Sequence, residues 1–465
     1  MTDAREFDVV VIGAGPAGTT AALRAADLGA KTALVTRGAF GGMAANEGPI
    51  PVRTLAHAAR LVRETRQLSR YGIAVTGPSI DYTQLVRRAR EVIGEARAHS
   101  TLLEQTIKAG VALFEDAGTA SFADERTIES ERGPTVRGGR VIVCSGGVSR
   151  ALIVPGADLT VTPADAFGLN DVPKSLIVIG AGSTGAQVAS IFNALGSHIT
   201  LCQTGPRIVP TEDVDVSREV ARAFREDGID VRENFGTISH FERLPEGVRM
   251  MVGQGPDTIA VEAEYAVCAI GWIADSEGLN LAVAGVQTNA NSFIEVDDTL
   301  RTSAEHIYAA GDILGRSMLV PQAVRDGFIA GNNAGGKSRL KVPLGVEPIG
   351  SFTDPEYAKV GLTEEEARSA YDVLISCASY EETTRPIVDG RTRGFCKLVI
   401  DRSTRLLLGC HIVGERAVEV AQMAGIVMTA KMVVDDLAKV LISFPTYANV
   451  LSRAALRAVR THKAL

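Results

Sequence analysis

The sequence predicts an α/β protein, with two Rossmann-like dinucleotide-binding units followed by a C-terminal α+β domain. Three observations support this. At 465 residues the chain is too long for one hydrophobic core, and ordinary domain sizes suggest about three. Two segments, FDVVVIGAGPAGTTAALRAADLGAKTALVTRG and SLIVIGAGSTGAQVASIFNALGSHITLCQTG, repeat one internal pattern. From about Leu344 the texture changes to short strands (CKLVID, LLLGCHIVG) and amphipathic helices.

Each repeat runs from a short Val/Ile-rich stretch through GxGxxG into a helix-period segment, then into a second β-branched run. That order is strand, phosphate loop, helix, strand. A lone GxGxxG marks plain turns as readily as ligand loops; following a strand and opening a helix, it becomes informative. Gly13 and Gly180 allow the tight turn. Gly15 and Gly182 allow the backbone to approach a pyrophosphate, and Gly18 and Gly185 let the helix pack on the strand. Free N–H groups at the helix N-termini then receive the phosphates. Two such units imply two dinucleotides, the alternative being two α/β units without ligands.

Between the repeats, DYTQLVRRAREVIGEARAHSTLLEQTIKAG reads as a long helical stretch, and RVIVCSGGVSRALIVPG as a strand leading into a Gly-rich crossing. Later, TSAEHIYAAGDILGRSMLVPQAVRDGFIAGNNA ends a strand at Gly311-Asp312 and enters a helix. VEVAQMAGIVMTAKMVV is interrupted by Glu419, Gln422 and Lys431; it reads as a buried helix rather than a membrane span.

The formal charge of -7, from 48 basic and 55 acidic residues, is well mixed, so no basic stripe suits nucleic acid. MTDAREFD lacks the features of a signal peptide, and a cytoplasmic location is expected. Six cysteines (Cys144, Cys202, Cys268, Cys377, Cys396, Cys410) show no CxxC or CxxxxC spacing and read as core thiols. Seven histidines form no HxH or HExxH cluster, so no metal site is expected.

GAGPAG, the frame GGxxxNxGxIPxxTL in GGMAANEGPIPVRTL, the Gly-Gly crossing with PG, the second GAGxxG, HIYAAGDI and DRSTRLLLGCHIVGERAVE occur in one order. Together they make the chain resemble the class I pyridine nucleotide-disulfide oxidoreductases, the family of dihydrolipoamide dehydrogenase, glutathione reductase and mercuric reductase. The likeness runs nearly end to end. It implies FAD, with NAD(P)H as co-substrate, and a homodimer with shared active sites. The expected domains are a split FAD domain (1–155 and 290–343), an NAD(P) domain (156–289) and a dimerisation domain (344–465).

By the same resemblance, FAD would be held by Gly13, Gly15, Pro16, Ala17, Gly18, Thr36, Arg37, Gly42, Met43, Ala44, Gly48, Ser145, Gly146, Gly311 and Asp312. The nicotinamide coenzyme would meet Gly180, Gly182, Ser183, Thr184, Gly185, Gln203, Arg207 and Gly271. Asp312 resembles the acid that contacts the ribityl chain and pyrophosphate of FAD. Thr36 and Gln203 stand where the family has ribose-binding carboxylates. A neutral hydrogen bond at Thr36 contributes about 1 kcal/mol against roughly 1.5–3 for a charged one, so a weaker hold on FAD is expected. Neutral Gln203 does not repel a 2′-phosphate, which leaves both coenzymes open. Arg207 would either reach that phosphate or serve the structure. Trp272, in place of a family arginine, reads as a packing residue.

The departures bear on chemistry. Ala44 and Pro49 occupy the positions of the two redox cysteines, and Phe444 and Asn449 those of the acid-base His and Glu. A phenyl ring carries no proton. Near flavin N5, Arg53 and Gln187 replace a Lys-Glu pair, and a forked, permanently charged guanidinium is no equivalent of an ammonium. The reading that follows is an FAD-dependent NAD(P)H oxidoreductase of diaphorase, quinone-reductase or transhydrogenase type. Arg53 and Gln187 would flank the flavin and Phe444 and Asn449 would wall the acceptor pocket. Its acceptor is a small non-disulfide oxidant such as a quinone or a second nicotinamide. Two alternatives stay open: a flavoprotein that senses redox state with little turnover, and a disulfide reductase using another thiol such as Cys144.

Overall fold

The computed structural model describes residues 4–99, 101–253, 258–336, 338–343 and 345–463. The chain divides into two compact units, each assembled from three separate stretches. The first contains 1–54, 86–150 and 272–344. Its sheet grows from Arg5–Ile12, whose inner half Val9–Ile12 is buried. Thr32–Val35 and Ala112–Phe114 extend it in parallel on one side, and Val136–Val143 joins it in parallel on the other. Val136–Val143 then serves two neighbours on one edge. Val136 and Arg137 pair antiparallel with Ile128 and Thr127, whereas Val141–Val143 pair in parallel with Ile307–Ala309. The end of each parallel strand is thereby brought to one rim, where the phosphate loop follows. Burial of such Val and Ile side chains contributes about 1.5–3 kcal/mol each.

The helix Pro16–Asp27 packs along Val320–Gly335 through small residues. A Cβ on Gly327, Gly331 or Gly335 would stand 2.2 Å from Ala17 O, 2.3 Å from Ala21 O or 2.9 Å from Ala25 Cα. Glycine at every fourth position of one helix, against alanine at every fourth position of the other, sets the close approach. Within the same unit Trp272–Ala274 forms a two-stranded ribbon with Gly147–Ser149. Half-buried Trp272 lies opposite Ser149 there.

The second unit contains 55–85, 151–271 and 345–465. It carries a five-stranded parallel sheet in the order Asp230–Arg232, His198–Cys202, Ser175–Ile179, Tyr265–Cys268, Thr160–Val161. A three-stranded antiparallel sheet (Ile238–Leu244, Gly247–Val252, Ile259–Ala263) belongs to the same unit. So does a five-stranded antiparallel sheet in the order Ile349–Ser351, Tyr357–Gly361, Leu407–Val413, Phe395–Asp401, Val373–Ser379. Two sheets with parallel βαβ phosphate-loop strands, plus an antiparallel C-terminal sheet with helices, are the predicted fold class.

Three local expectations differ from the structure. The stretch from Asp81 to Gly110 holds two helices, Tyr82–His99 and Leu102–Lys108, because Thr101 takes up an N-terminal position, its carbonyl accepting from Gln105 N–H at 2.7 Å. The helix Ala417–Thr429 is buried on one face only, through Val420, Ala421 and Ala424, while Ile426 is 62% exposed. Five of the six cysteines are buried, but Cys377 is exposed, since it points outward from the sheet's edge strand between buried Ser376 and Ala378.

Candidate functional site

The first phosphate loop begins where Arg5–Ile12 ends. Gly13 has φ +101°, and a Cβ there would stand 2.2 Å from Cys144 O, so the turn is set by the neighbouring strand's own backbone. Gly15 caps Pro16–Asp27 without any side-chain cap bond, and no acid occupies the first turn. The nearest heavy atom to a Cβ at Gly15 is Gly42 Cα, 4.0 Å away, which leaves room beside open helix N–H groups. At Gly18 a Cβ would meet Gly13 O at 1.8 Å, which explains the third glycine as a packing requirement.

The second loop repeats these relations. Gly180 has φ +90° and would set a Cβ 2.5 Å from Ala269 O; Gly185 would set one 1.9 Å from Gly180 O. Gly182 caps Ser183–Leu195, again with no side-chain bond and no acid in the first turn, and nothing lies within 4 Å of its would-be Cβ. Tight, open and tight are thus the steric states of the three glycines in both loops. An open middle position beside unsatisfied N–H groups and a positive helix end suits a pyrophosphate. Thr184 is half-buried in the first turn of that helix.

Other elements of the first unit converge on its loop. Gly41 N–H donates to Ala14 O at 2.9 Å, and Gly42, at φ +58°, comes so close that its Cβ would lie 2.7 Å from Gly15 Cα. Met43 and half-buried Ala44 follow in the short helix Gly42–Asn46, which Gly48 closes by donating to Met43 O at 2.8 Å. Pro49 then opens Pro49–Thr65, the position where its missing N–H is harmless. Asn46 is gripped from outside by Arg97 of Tyr82–His99. Gly311, at φ +84°, passes the Ala17 side chain and starts a 3-10 turn at Asp312. Burial raises the Asp312 carboxyl above its ordinary range. Beyond Cys144, the Ser145 hydroxyl is buried without a partner, and Gly146 has φ +90° with open space around it. These donors, the open Gly15 position and a weakly acidic Asp312 fit a dinucleotide with a polyhydroxyl chain.

Further residues are placed less simply. Thr36 is buried, its N–H bonded to Phe114 O. Arg37 forms a fork with Asp275, at 3.0 and 3.3 Å. Gln203 turns its side-chain oxygen onto the Ala181 N–H at 2.9 Å. Arg207 donates to Pro210 O and Glu212 O, at 2.8 and 3.1 Å. Gly271 is exposed at φ +108°. Arg53 is exposed, and Gln187 donates to Ser183 O at 3.2 Å within its own helix. Phe444 is 73% exposed. Asn449 Oδ1 accepts the Thr446 N–H at 2.8 Å, so its carbonyl serves the start of Asn449–Lys463.

Burial pushes both Cys144 and Cys202 up to about 12. Cys396 and Cys410 sulfurs lie 3.8 Å apart in the C-terminal sheet, both buried. Sequence reasoning missed the Gly327-Gly331-Gly335 spacing, which was visible in GFIAGNNAG, and the Arg97–Asn46 contact, for which no sequence signal existed. Among the described residues no helix is long and apolar enough to cross a membrane.

Residues 7–327 match the family described as pyridine nucleotide-disulphide oxidoreductase, and residues 348–455 match its dimerisation domain. A mercuric reductase of Lysinibacillus sphaericus is 32% identical over 454 residues, 97% of this chain and 82% of that protein. A dihydrolipoyl dehydrogenase of Chlorobaculum parvum is 31% identical over 462 residues, 98% of each chain. Among solved structures, LpdA of Mycobacterium tuberculosis superposes with a TM-score of 0.87 at 26% identity, covering 97% of this chain and 99% of that one. The HOCl-induced flavoprotein disulfide reductase RclA of Escherichia coli, at 23% identity and a TM-score of 0.86, shares the fold over 97% and 99%. With matched phosphate loops after parallel strands in two of its sheets, the chain belongs to the pyridine nucleotide-disulphide oxidoreductases, a family of FAD-binding, NAD(P)H-using oxidoreductases.

Proposed function

We propose that this protein is a flavin-dependent NAD(P)H oxidoreductase that delivers electrons to a small non-disulfide acceptor, such as a quinone or a second nicotinamide, without a dithiol intermediate. The observation that supports it is the segment Gly41–Pro49. It lies against the first phosphate loop through Gly42, and it presents Ala44 and Pro49 in place of sulfur. Cys144, which also touches that loop, is held as a neutral thiol by burial. When bound, FAD supplies the hydride acceptor and the electron relay. Residues of this chain bind and orient: the first loop with Asp312 and Ser145 would hold FAD, the second loop with Gln203 the coenzyme. Exposed Arg53 and half-buried Gln187 would each face the flavin as a donor, since neither moves a proton near neutral pH.

The domain limits we assign are 1–155 with 290–343 for FAD, 156–289 for NAD(P) and 344–465 for dimerisation. A cytoplasmic homodimer follows from this reading, with the partner's Phe444 and Asn449 walling the acceptor pocket. Exposure of Phe444 at 73% and Leu441 at 99% in the single chain supports a partner at that segment. Steady-state NADH and NADPH oxidation by the purified holoenzyme tests the proposal. Turnover is expected with menadione or ferricyanide, and none with lipoamide or glutathione disulfide. A flavin that is reducible but inert toward every acceptor would support a sensor instead, and efficient disulfide turnover would reject the reading outright.

A further inference from the structure

The second phosphate loop is held at both of its central backbone groups. Ala181, between Gly180 and Gly182, gives its N–H to Gln203 Oε1 at 2.9 Å and accepts the Val209 N–H on its carbonyl at 2.7 Å. Residues 203–209 therefore cross the loop as the near part of a strap that runs on to Asp213. Val209 adopts φ +40° and is buried. A β-branched residue holds that conformation only where its surroundings enforce it. Part of the enforcement is local. Arg207 ties the strap's turn to Pro210 O and Glu212 O, and Ser217 Oγ donates to Ile208 O at 2.7 Å.

The strap's far end is anchored in the C-terminal sheet. Glu212 and Asp213 are both buried carboxylates. Glu212 Oε1 meets Lys359 Nζ at 3.3 Å, and the same ammonium donates to Thr211 O. Asp213 Oδ1 meets Lys397 Nζ at 2.9 Å, while its Oδ2 accepts the Glu364 N–H at 3.1 Å. Lys397 also reaches Asp215 at 2.6 Å and Glu364 at 2.7 Å. Lys359 and Lys397 both lie opposite His411 in the register of neighbouring strands, so the two lysines share one face of the sheet and flank that histidine. Burial alone would raise the Asp213 carboxyl; the bonds from Lys397, Glu364 N–H and Asp215 N–H outweigh it and hold the group below its usual range. Glu212 is less well compensated. Burial raises it despite Lys359, and its second oxygen is buried without a partner.

Buried ion pairs contribute little net stability over apolar packing, so two of them on one strap point to placement rather than to cohesion. We propose that Lys359 and Lys397 are positioning residues for the nicotinamide coenzyme. Through Glu212 and Asp213 they fix the strap, and the strap fixes Ala181 and with it the loop N–H groups that meet the pyrophosphate. This rests on the reading that the second loop binds NAD(P)H. Hydrogen bonds weaken steeply with angle and distance, so a small shift of the loop lowers coenzyme affinity without touching the flavin.

The test compares Lys359→Met, Lys359→Arg and Glu212→Gln with the wild-type holoenzyme, with NADH, NADPH and ferricyanide as substrates. Lys359→Met is expected to raise the coenzyme KM fivefold or more while kcat and flavin content stay within twofold. Lys359→Arg retains the charge and should keep KM within twofold of wild type. Glu212→Gln loosens the tie without stranding a carboxylate, so it stays informative if Lys359→Met does not fold; a KM two- to fivefold higher is expected. Unchanged KM in Lys359→Met and Glu212→Gln, with only a lower melting temperature, would overturn the proposal. Gly182→Val separates the underlying reading. Coenzyme binding that survives this change shows that the second loop is not the site, whatever the lysine variants do.

Discussion

Cys144 shows how a residue's surroundings decide its chemistry. It follows the strand Val136–Val143, its carbonyl fixes the turn at Gly13, and its side chain lies where a Cβ on Gly18 would come within 3.2 Å. A thiol pushed up to about 12 by burial stays protonated at pH 7, and a protonated thiol is no nucleophile. Alkylation of the native protein should therefore modify exposed Cys377 first and leave NAD(P)H oxidation intact. Mass spectrometry of partly alkylated protein, paired with activity, checks this; parallel loss of activity would reveal a working thiol. Gln203 supports a second prediction. Gln203→Glu keeps an acceptor for the Ala181 N–H but adds a charge that repels a 2′-phosphate. The ratio of kcat/KM for NADH over NADPH should rise about tenfold or more, and an unchanged ratio would show that Gln203 is not at the ribose. At this scale the glycines were legible, because their spacing encodes a steric need. What each glycine avoids was not. Gly13 and Gly180 are required by carbonyls of Cys144 and Ala269, far away in sequence, and no local pattern names such partners.

Among the elements, the contact between Pro16–Asp27 and Val320–Gly335 fixes the first phosphate loop from behind. Gly331→Ala would drive a Cβ to within 2.3 Å of Ala21 O, a backbone atom that can move only with its helix. Overpacking of this kind costs about 1–3 kcal/mol, so a lower melting temperature and faster flavin release are expected. Gly94→Ala in Tyr82–His99 is the control. Nothing lies within 4 Å of its Cβ, and the better helix former should stabilise by about 0.5–1 kcal/mol. Thermal denaturation followed by flavin fluorescence measures both; a Gly331→Ala protein as stable as wild type would mean that the helices do not need this approach. The type of most elements could be read from periodicity. The break between Tyr82–His99 and Leu102–Lys108 could not, since both helices carry the same period and Thr101 interrupts it without Gly or Pro. The exposed face of Ala417–Thr429 at Ile426 was not legible for a related reason: an apolar run shows that a helix can be buried, not which of its faces finds a neighbour.

For the molecule as a whole, the decisive quantity is how many electrons it stores. The order of motifs made the fold class readable, because two βαβ units and a C-terminal change of texture each leave a local trace. The return of Ile307–Ala309 to pair with Val141–Val143 leaves none, and only the resemblance suggested it. The electron acceptor is harder still, since it depends on what the segment Gly41–Pro49 lacks rather than on what it contains. A protein with FAD and a redox disulfide takes up four electrons, and its two-electron form commonly shows a long-wavelength thiolate-to-flavin band. With Ala44 and Pro49 in the short-helix segment and Cys144 and Cys202 held protonated by burial, the flavin is the one store that the proposed chemistry offers. Anaerobic titration of the holoenzyme with dithionite should therefore bleach the flavin completely with about one two-electron equivalent per FAD. No thiolate band should appear at the midpoint, at neutral pH or at pH 9, because thiols raised to about 12 remain protonated at both. A requirement for two equivalents per flavin would place a second redox centre in the chain. Cys396 and Cys410, with sulfurs 3.8 Å apart, would then be the pair to replace first, since a Cys396→Ser variant that titrated with one equivalent would locate the extra electrons in the C-terminal sheet.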